Sequence, residues 1–212
     1  MKLLPAAALA LFATAPAFAS SFLVDFERSW DYANGDVNGY YSGGTAADGA
    51  SGSNLGVSFV NVSGLSNDAS FTYYSGAPSM FGTAYAHTFA PEDRALMNVA
   101  GGVDNSLSFF YSSPFSVLGA VRAYSGLNGS GTLLGTFNLL ATASAAYDQW
   151  TPVTFSFGGT ARSFDFTGGA NVVGIDNIAG VAPVPEPSTV VLMLIGGAAV
   201  LRKATRRRDR AS

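Results

Sequence analysis

Between residues 20 and 181 apolar side chains recur at every second position in short runs, and each run stops at glycine or asparagine. Phe22, Val24 and Phe26 alternate, as do Val57 and Phe59 with Val62 after them, then Leu107, Phe109 and Tyr111, then Val153, Phe155 and Phe157. A period of two places one face of an extended strand in a core and the other in water. No segment of this stretch sustains the 3.6 period of an amphipathic helix. Further strand-like runs fall at 70–74, 84–89, 95–99, 106–112, 117–124, 132–140, 162–166 and 171–178. Gly-Gly at 43–44, 101–102, 158–159 and 168–169, with Asn128-Gly129, read as the turns between them. The pattern predicts an all-β domain, a jelly-roll-like β-sandwich, over 20–181. A β-solenoid is the competing architecture, but no fixed repeat period accompanies it. Residues 33–55, dominated by Gly, Asn, Asp and Ser, read as a long surface loop, the most mobile part of the body.

The two ends follow different rules. Lys2, the apolar run 3–12 and the small-x-small pattern Ala17-Phe18-Ala19 predict a signal peptide over 1–19, cut before Ser20 by signal peptidase. At the other end, 182–188 reads Ala-Pro-Val-Pro-Glu-Pro-Ser, stiff and extended because each proline fixes its own φ and biases its predecessor away from helix. Thirteen uncharged residues, 189–201, come next. As a helix they would span about 20 Å, short of the roughly 30 Å hydrocarbon core. Arg202, Lys203, Arg206, Arg207, Arg208 and Arg210 complete the chain. A basic cluster beside an apolar segment stays cytoplasmic, so body out and tail in is the expected topology.

Charge separates the parts again. The body has no lysine and four arginines (Arg28, Arg94, Arg122, Arg162) against 12 acidic groups, a net of −8. With a whole-chain net charge of −3, a nucleic-acid partner is not expected. No cysteine and one histidine exclude a disulfide framework, a thiolate metal or redox site, and a histidine-rich zinc site.

The order Pro185-Glu186-Pro187, apolar run, Gly-Gly break at 196–197 and basic terminus resembles the PEP-CTERM sorting signal of Gram-negative bacteria. The resemblance covers 182–212. It implies that Pro185, Glu186 and Pro187 form the recognition box of exosortase, a membrane protease. It also implies that Arg202, Lys203, Arg206, Arg207 and Arg208 act as the stop signal of a transmembrane sorting helix. By the same resemblance the protein passes the inner membrane, is held there transiently, and ends at the cell surface or in the extracellular matrix. A permanent C-terminal anchor is the rival reading of the tail.

Three chemistries are open to the body. Asp25-Phe26-Glu27 at its start and Asp176-Asn177-Ile178 at its end resemble secreted β-sandwiches of the carbohydrate-binding-module type. That resemblance implies a structural Ca²⁺ held by Glu27 and Asp176, with Asp25 the weaker ligand; strand alternation would point Asp25 and Glu27 to one side. Asn34-Gly35-Asp36-Val37-Asn38-Gly39 opens like an EF-hand loop, but its twelfth position is Thr45 in place of a bidentate Glu, so it reads as a turn-rich loop. His87, the sole histidine, has no Gly-x-Ser-x-Gly elbow beside which to serve a triad, and no pair of carboxylates is singled out for glycoside hydrolysis. The expected function is therefore non-catalytic: adhesion, matrix structure or contact with extracellular polysaccharide. A calcium-stabilised carbohydrate-binding module is the alternative, and a secreted glycoside-acting hydrolase the third reading. Trp30, Tyr32, Tyr40, Tyr41, Tyr73, Tyr74 and Tyr85 are candidates for a sugar-stacking platform, with core packing the competing role. Arg28 and Arg94 are expected to form local ion pairs.

Overall fold

The computed structural model describes residues 21–66, 74–142 and 146–183. Ser20–Pro183 form a compact unit. Among the described residues there are nine strands, all paired antiparallel: β1 (Ser21–Val24), β2 (Val57–Val60), β3 (Val62–Ser66), β4 (Gly82–Ala86), β5 (Leu96–Ser112), β6 (Val117–Tyr124), β7 (Leu133–Leu139), β8 (Thr151–Asp165) and β9 (Gly174–Val181). Two single-turn 3₁₀ helices, Tyr40–Ser42 and Thr167–Gly169, are the helical elements among the described residues. The all-β reading holds. No described helix is long and apolar enough to cross a membrane.

β5 and β8 carry the architecture. The start of β5 pairs with β2 on one side and with the end of β8 on the other, and the end of β8 continues to β6 and β7. The end of β5 pairs with the start of β8 and with β9, and β9 continues to β4 and β3. One continuous ladder therefore serves two half-sheets that close over a common core. Their inner faces meet through aromatic side chains. Phe109 of β5 packs edge-on against Phe166 at 6.0 Å, and Phe137 of β7 lies 5.1 Å from Phe155 of β8. Phe26, Phe109, Phe155, Phe164, Met97 and Leu107 are the largest fully buried side chains. Burial of a Phe or Leu side chain is worth roughly 1.5–3 kcal/mol, so this interior dominates the stability of the sandwich.

Three expectations are corrected here. Gly101-Gly102 and Gly158-Gly159 do not end strands; they lie inside β5 and β8. The 95–99 and 106–112 runs are one strand, as are 153–157 and 162–166. Register shifts between Asn98 and Val103 and between Asp104 and Ser106 mark the bend, where Gly102 has φ +82° and Gly159 φ +83°. A glycine reaches that backbone region at no steric cost, so the ladder turns a corner where residues 99–102 of β5 and 157–159 of β8 leave the pairing, and it resumes beyond. Conversely the run from 56 to 62 is two strands, because Asn61 is left-handed (φ +52°) and re-aims the chain between β2 and β3. The 70–74 run falls mostly outside the described residues, and Tyr74 itself is in a turn.

Residues 33–55 are not a loose loop. Val37, Tyr41 and Ala46 are buried in the core. The Val37 N–H donates to Val62 O at 2.9 Å and the Gly64 N–H to Gly35 O at 2.8 Å, which covers the outer edge of β3. Arg28 binds the Asp48 carboxylate and lies 5.1 Å from the Tyr40 ring centre, so one cation ties two parts of the segment. The composition hid this, because a few apolar residues suffice to anchor a segment otherwise satisfied by backbone hydrogen bonds.

The bend can be tested by a matched pair. A Cβ on Gly102 would stand 2.5 Å from Thr160 Cγ2, whereas one on Gly101 meets nothing within 4 Å. Gly102→Ala is expected to cost ~1–3 kcal/mol in urea denaturation. Gly101→Ala should stay within ~0.5 kcal/mol of the parent.

Candidate functional site

The strand order places β4 beside the start of β9, and their outer faces form the floor of a cleft. Tyr85 and Ser63 are register partners on β4 and β3, so both project from the same face, followed by Leu65. Tyr74 comes from the connection between β3 and β4, Tyr32 from the segment after β1, and Tyr147 from the connection between β7 and β8. Asn171, Val172 and Val173 lead into β9. These eight residues (Tyr32, Leu65, Tyr74, Tyr85, Tyr147, Asn171, Val172, Val173) line an open cleft of about 240 Å³. Tyr74 and Tyr147 rings lie 5.3 Å apart, and Trp150 backs Tyr74 at 5.8 Å. Burial pushes the hydroxyls of Tyr74, Tyr85 and Tyr147 up from their ordinary value, so all three are neutral phenols. Tyr32 is 79% exposed at the rim. The lining offers aromatic faces, phenolic hydroxyls and one amide, with no charged side chain.

Of the seven aromatic candidates read from the sequence, Tyr32, Tyr74 and Tyr85 reach the cleft. Trp30 and Tyr41 are buried, Tyr40 packs against that core with its ring 5.5 Å from Trp30, and Tyr73 lies outside the described residues. Tyr147 and Asn171 were not foreseen. Both have positive φ, 55° and 63°; Tyr147 sits in a connection, where periodicity carries no information, and Asn171, the first residue of the strand-like run 171–178, lies in the turn before β9 begins at Gly174.

The acidic residues assigned to calcium gather elsewhere, where the first and last strands meet. β1 pairs with β9 from Ser21↔Val181 to Val24↔Ile178, the adjacency the sandwich reading expects. Strand alternation does not continue to Glu27, because Phe26 is left-handed at φ +53°. Instead the residues converge on 79–81. The Ser79 N–H donates to Asp176 Oδ2 at 2.7 Å, and the Ser79 hydroxyl lies 2.6 Å from Asp25 O and 3.2 Å from Asn177 Oδ1. Glu27 Oε1 accepts from the Phe81 N–H at 2.9 Å. The Asp25 carboxylate turns away, to the Glu27 N–H and the Tyr41 hydroxyl. Asp176 is fully buried. Burial raises its carboxyl to about 6, its hydrogen bonds oppose the rise, and the charge of Glu27 adds to it. Glu27 and Asp176 thus come together, with Asp25 contributing its carbonyl. Among the described residues no group of three acidic or histidine side chains is placed to hold a metal.

His87 is buried with Nε2 2.9 Å from Asp36 Oδ1, and Ser63 donates to the same oxygen. The carboxylate stands between the serine and the histidine, the wrong order for activating a serine, whose proton must pass to the imidazole. Asp36 is therefore a structural acceptor, in agreement with reading 34–39 as a turn. Arg28 pairs with Asp48, and Arg94 with Asp165 at 2.7 Å. Burial alone would raise the Asp165 carboxyl, but hydrogen bonds from Arg94 and Thr167 hold it below the usual range.

The residues assigned to signal-peptide cleavage (Ala17, Ala19, Ser20) and to sorting (Pro185, Glu186, Pro187, Arg202, Lys203, Arg206, Arg207, Arg208) lie outside the described residues. By sequence comparison, residues 183–208 match the PEP-CTERM protein-sorting motif. That motif marks export, processing at the membrane by exosortase, and sorting to the cell surface. No curated protein matches the chain. Among solved structures the body is similar to CsCBM6-3 from Clostridium stercorarium in complex with cellobiose, at 18% identity over 57% of this chain and 83% of that one, with a TM-score of 0.37. It is similar to the K1 cleaved adhesin domain of Lys-gingipain from Porphyromonas gingivalis W83, at 11% identity over 76% and 97%, TM-score 0.45. A third is CBM35 from Paenibacillus barcinonensis, at 15% identity over 61% and 94%, TM-score 0.37. At these values no residue role passes from them to this chain.

In protein freed of divalent cations, the Asp176 carboxyl carbon should titrate by NMR with a midpoint near 6. Its folded value lies above the ordinary 3.8, so its contribution to stability is whole below 3.8 and is lost as pH rises through 6. A midpoint at or below 4 would remove the burial cost assigned to this group.

Proposed function

We propose that the protein is a non-catalytic, exported surface or matrix protein of a Gram-negative bacterium, and that its tyrosine cleft binds extracellular polysaccharide. The observation that carries the reading is the cleft itself: four tyrosines and Asn171 converging from five separate segments, with no carboxylate among the lining residues. Aromatic faces cover the C–H surfaces of a sugar ring, while phenols and an amide supply the few oriented hydrogen bonds that fix it. Glycoside hydrolysis would ask for two carboxyl groups facing each other across the bound sugar. Signal peptidase removes the leader before Ser20 and exosortase acts at Pro185-Glu186-Pro187, so inner-membrane residence is transient. The volume, below the ~300–1,000 Å³ of pockets for drug-sized ligands, suits a single sugar unit of a longer chain.

Calcium is a second proposal, carried by Asp176. Its two oxygens accept from the backbone N–H groups of Ser79 and Asn177, and a buried carboxylate whose charge is opposed by Glu27 is a setting in which a hard cation gains most. Glu27, Asp176, Asn177 and the Asp25 carbonyl would hold it, and it would fasten the start of the chain to its end.

Two measurements test these readings. Tyr32→Ala should weaken binding to a responsive polysaccharide about fivefold, corresponding to loss of one aromatic contact of about 1 kcal/mol, with an unchanged melting temperature. Failure to bind any member of a broad glycan array, with calcium present, overturns the polysaccharide reading. For calcium, the melting temperature in excess Ca²⁺ should exceed that in chelator, by an amount equivalent to ~2.7 kcal/mol at a hundredfold excess over Kd. Identical melting temperatures dismiss the ion.

A further inference from the structure

The outward row of β4 does not stop where the cleft does. Ala84 and Ala86 belong to the core, so Tyr85 lies on the outer face of the sheet. Beyond Ala86 the chain stays extended, because it is held from both sides. The His87 N–H donates to Asn61 O at 2.9 Å. On the other side the Asn171 N–H donates to Ala86 O and its amide to Thr88 O, each at 2.8 Å. The alternation therefore runs on, and it sets the rings of Tyr85, His87 and Phe89 in one file, with centroids 5.9 Å and then 5.1 Å apart.

The members of this file differ in what they show to water. Tyr85 lines the cleft, and His87 is buried with Nε2 against Asp36. Phe89 is 88% exposed, the most exposed large apolar side chain among the described residues. Its backbone is nevertheless fastened. The N–H groups of Phe89 and Ala90 both donate to Asp93 Oδ2 at 2.8 Å, and the Asp93 N–H closes the turn on Ala90 O at 3.1 Å. Asn171 joins this turn to the cleft, since it lines the one and holds Thr88 beside the other. A large ring with few rotatable bonds, presented in water on a fastened backbone, loses little freedom when something covers it.

A polysaccharide with one unit in the cleft must pass over neighbouring surface. A pyranose is a six-membered ring of much the same breadth as a phenyl ring, so the ring steps of the file match the scale of successive sugar units. Phe89 has no polar group, and it offers only a face for the C–H side of a sugar.

We infer that Phe89 is the platform of a second subsite, which stacks on a further pyranose of the same chain that places one unit in the tyrosine cleft. The site thus reads a run of sugars. This rests on the polysaccharide reading above and extends it from one unit to several.

The test is calorimetric titration of the purified protein with cello-, manno- and xylo-oligosaccharides graded from disaccharide to hexasaccharide. The parent should bind the hexasaccharide of one series about fivefold more tightly than its disaccharide, the gain of one aromatic contact. Phe89→Ala should abolish that gain while leaving the disaccharide affinity and the melting temperature unchanged. Phe89→Trp, which restores a flat face, should keep it, and Tyr32→Ala should weaken short and long members alike. A gain with length that survives Phe89→Ala, or equal weakening of disaccharide and hexasaccharide by that change, overturns the second subsite. So does a parent dimer that Phe89→Ala dissociates in sedimentation with the length gain intact, because the ring then serves a second copy of the chain. Failure to bind any graded series overturns the inference, and failure on the broad glycan array as well removes the polysaccharide reading beneath it.

Discussion

Everything in this domain hangs on one ladder, the antiparallel pairing of β5 with β8, which runs through a bend and belongs to both half-sheets. Each strand is long enough to pair at one end with one set of neighbours and at the other with a second set. The bend at Gly102 and Gly159 turns a single sheet into two facing layers and so creates an inside for Phe109, Phe155 and Phe164 to fill. Without cysteines, the fold has no covalent tie to substitute for that continuity. Hydrogen bonding and aromatic packing act on the same residues, which makes the corner a place where a single added methyl is felt.

The covering segments then distribute the polar groups. Residues 33–48 close the β3 edge and deliver Asp36 to Ser63 and His87; residues 74–81 cross the outer face of β4 and β9 and deliver Tyr74 to the cleft and Ser79 to Asp176. The two sites are therefore built by segments laid on the same half-sheet, one along its edge and one over its outer face. They differ in charge. The cleft is lined by uncharged side chains, whereas the Ser79 cluster holds a carboxylate that folding has forced out of water. A buried acid of this kind opposes folding at neutral pH unless something compensates it.

Alternation made the strands legible, because β packing depends on period two and little else. Phe22, Val24, Val57, Phe59, Leu107, Phe109, Phe155 and Phe157 all face inward as read. Glycine was misread at 101–102 and 158–159 for a physical reason: the same freedom of φ serves a turn and a bend, and only the pairing partner distinguishes them. The end-to-end adjacency of Glu27 and Asp176 was legible from their place in the chain, though the contact runs through Ser79, which no pattern signals. Half of the cleft was hidden for the converse reason. Tyr85 is in a strand and could be counted, but Tyr147 sits in a connection and Asn171 in a turn that the run 171–178 takes for strand, and what brings them together is the order of strands rather than any local rule.

The pairing of Ser21 with Val181 has a geometric consequence. Both ends of the folded body emerge side by side at one pole, while Asn171, Val172 and Val173 mark the other pole, separated from it by the eight residues of β9. At about 3.3 Å per residue that is roughly 25 Å. Within the body, the cleft therefore opens at the end of β9 opposite to the one where the two chain ends are paired.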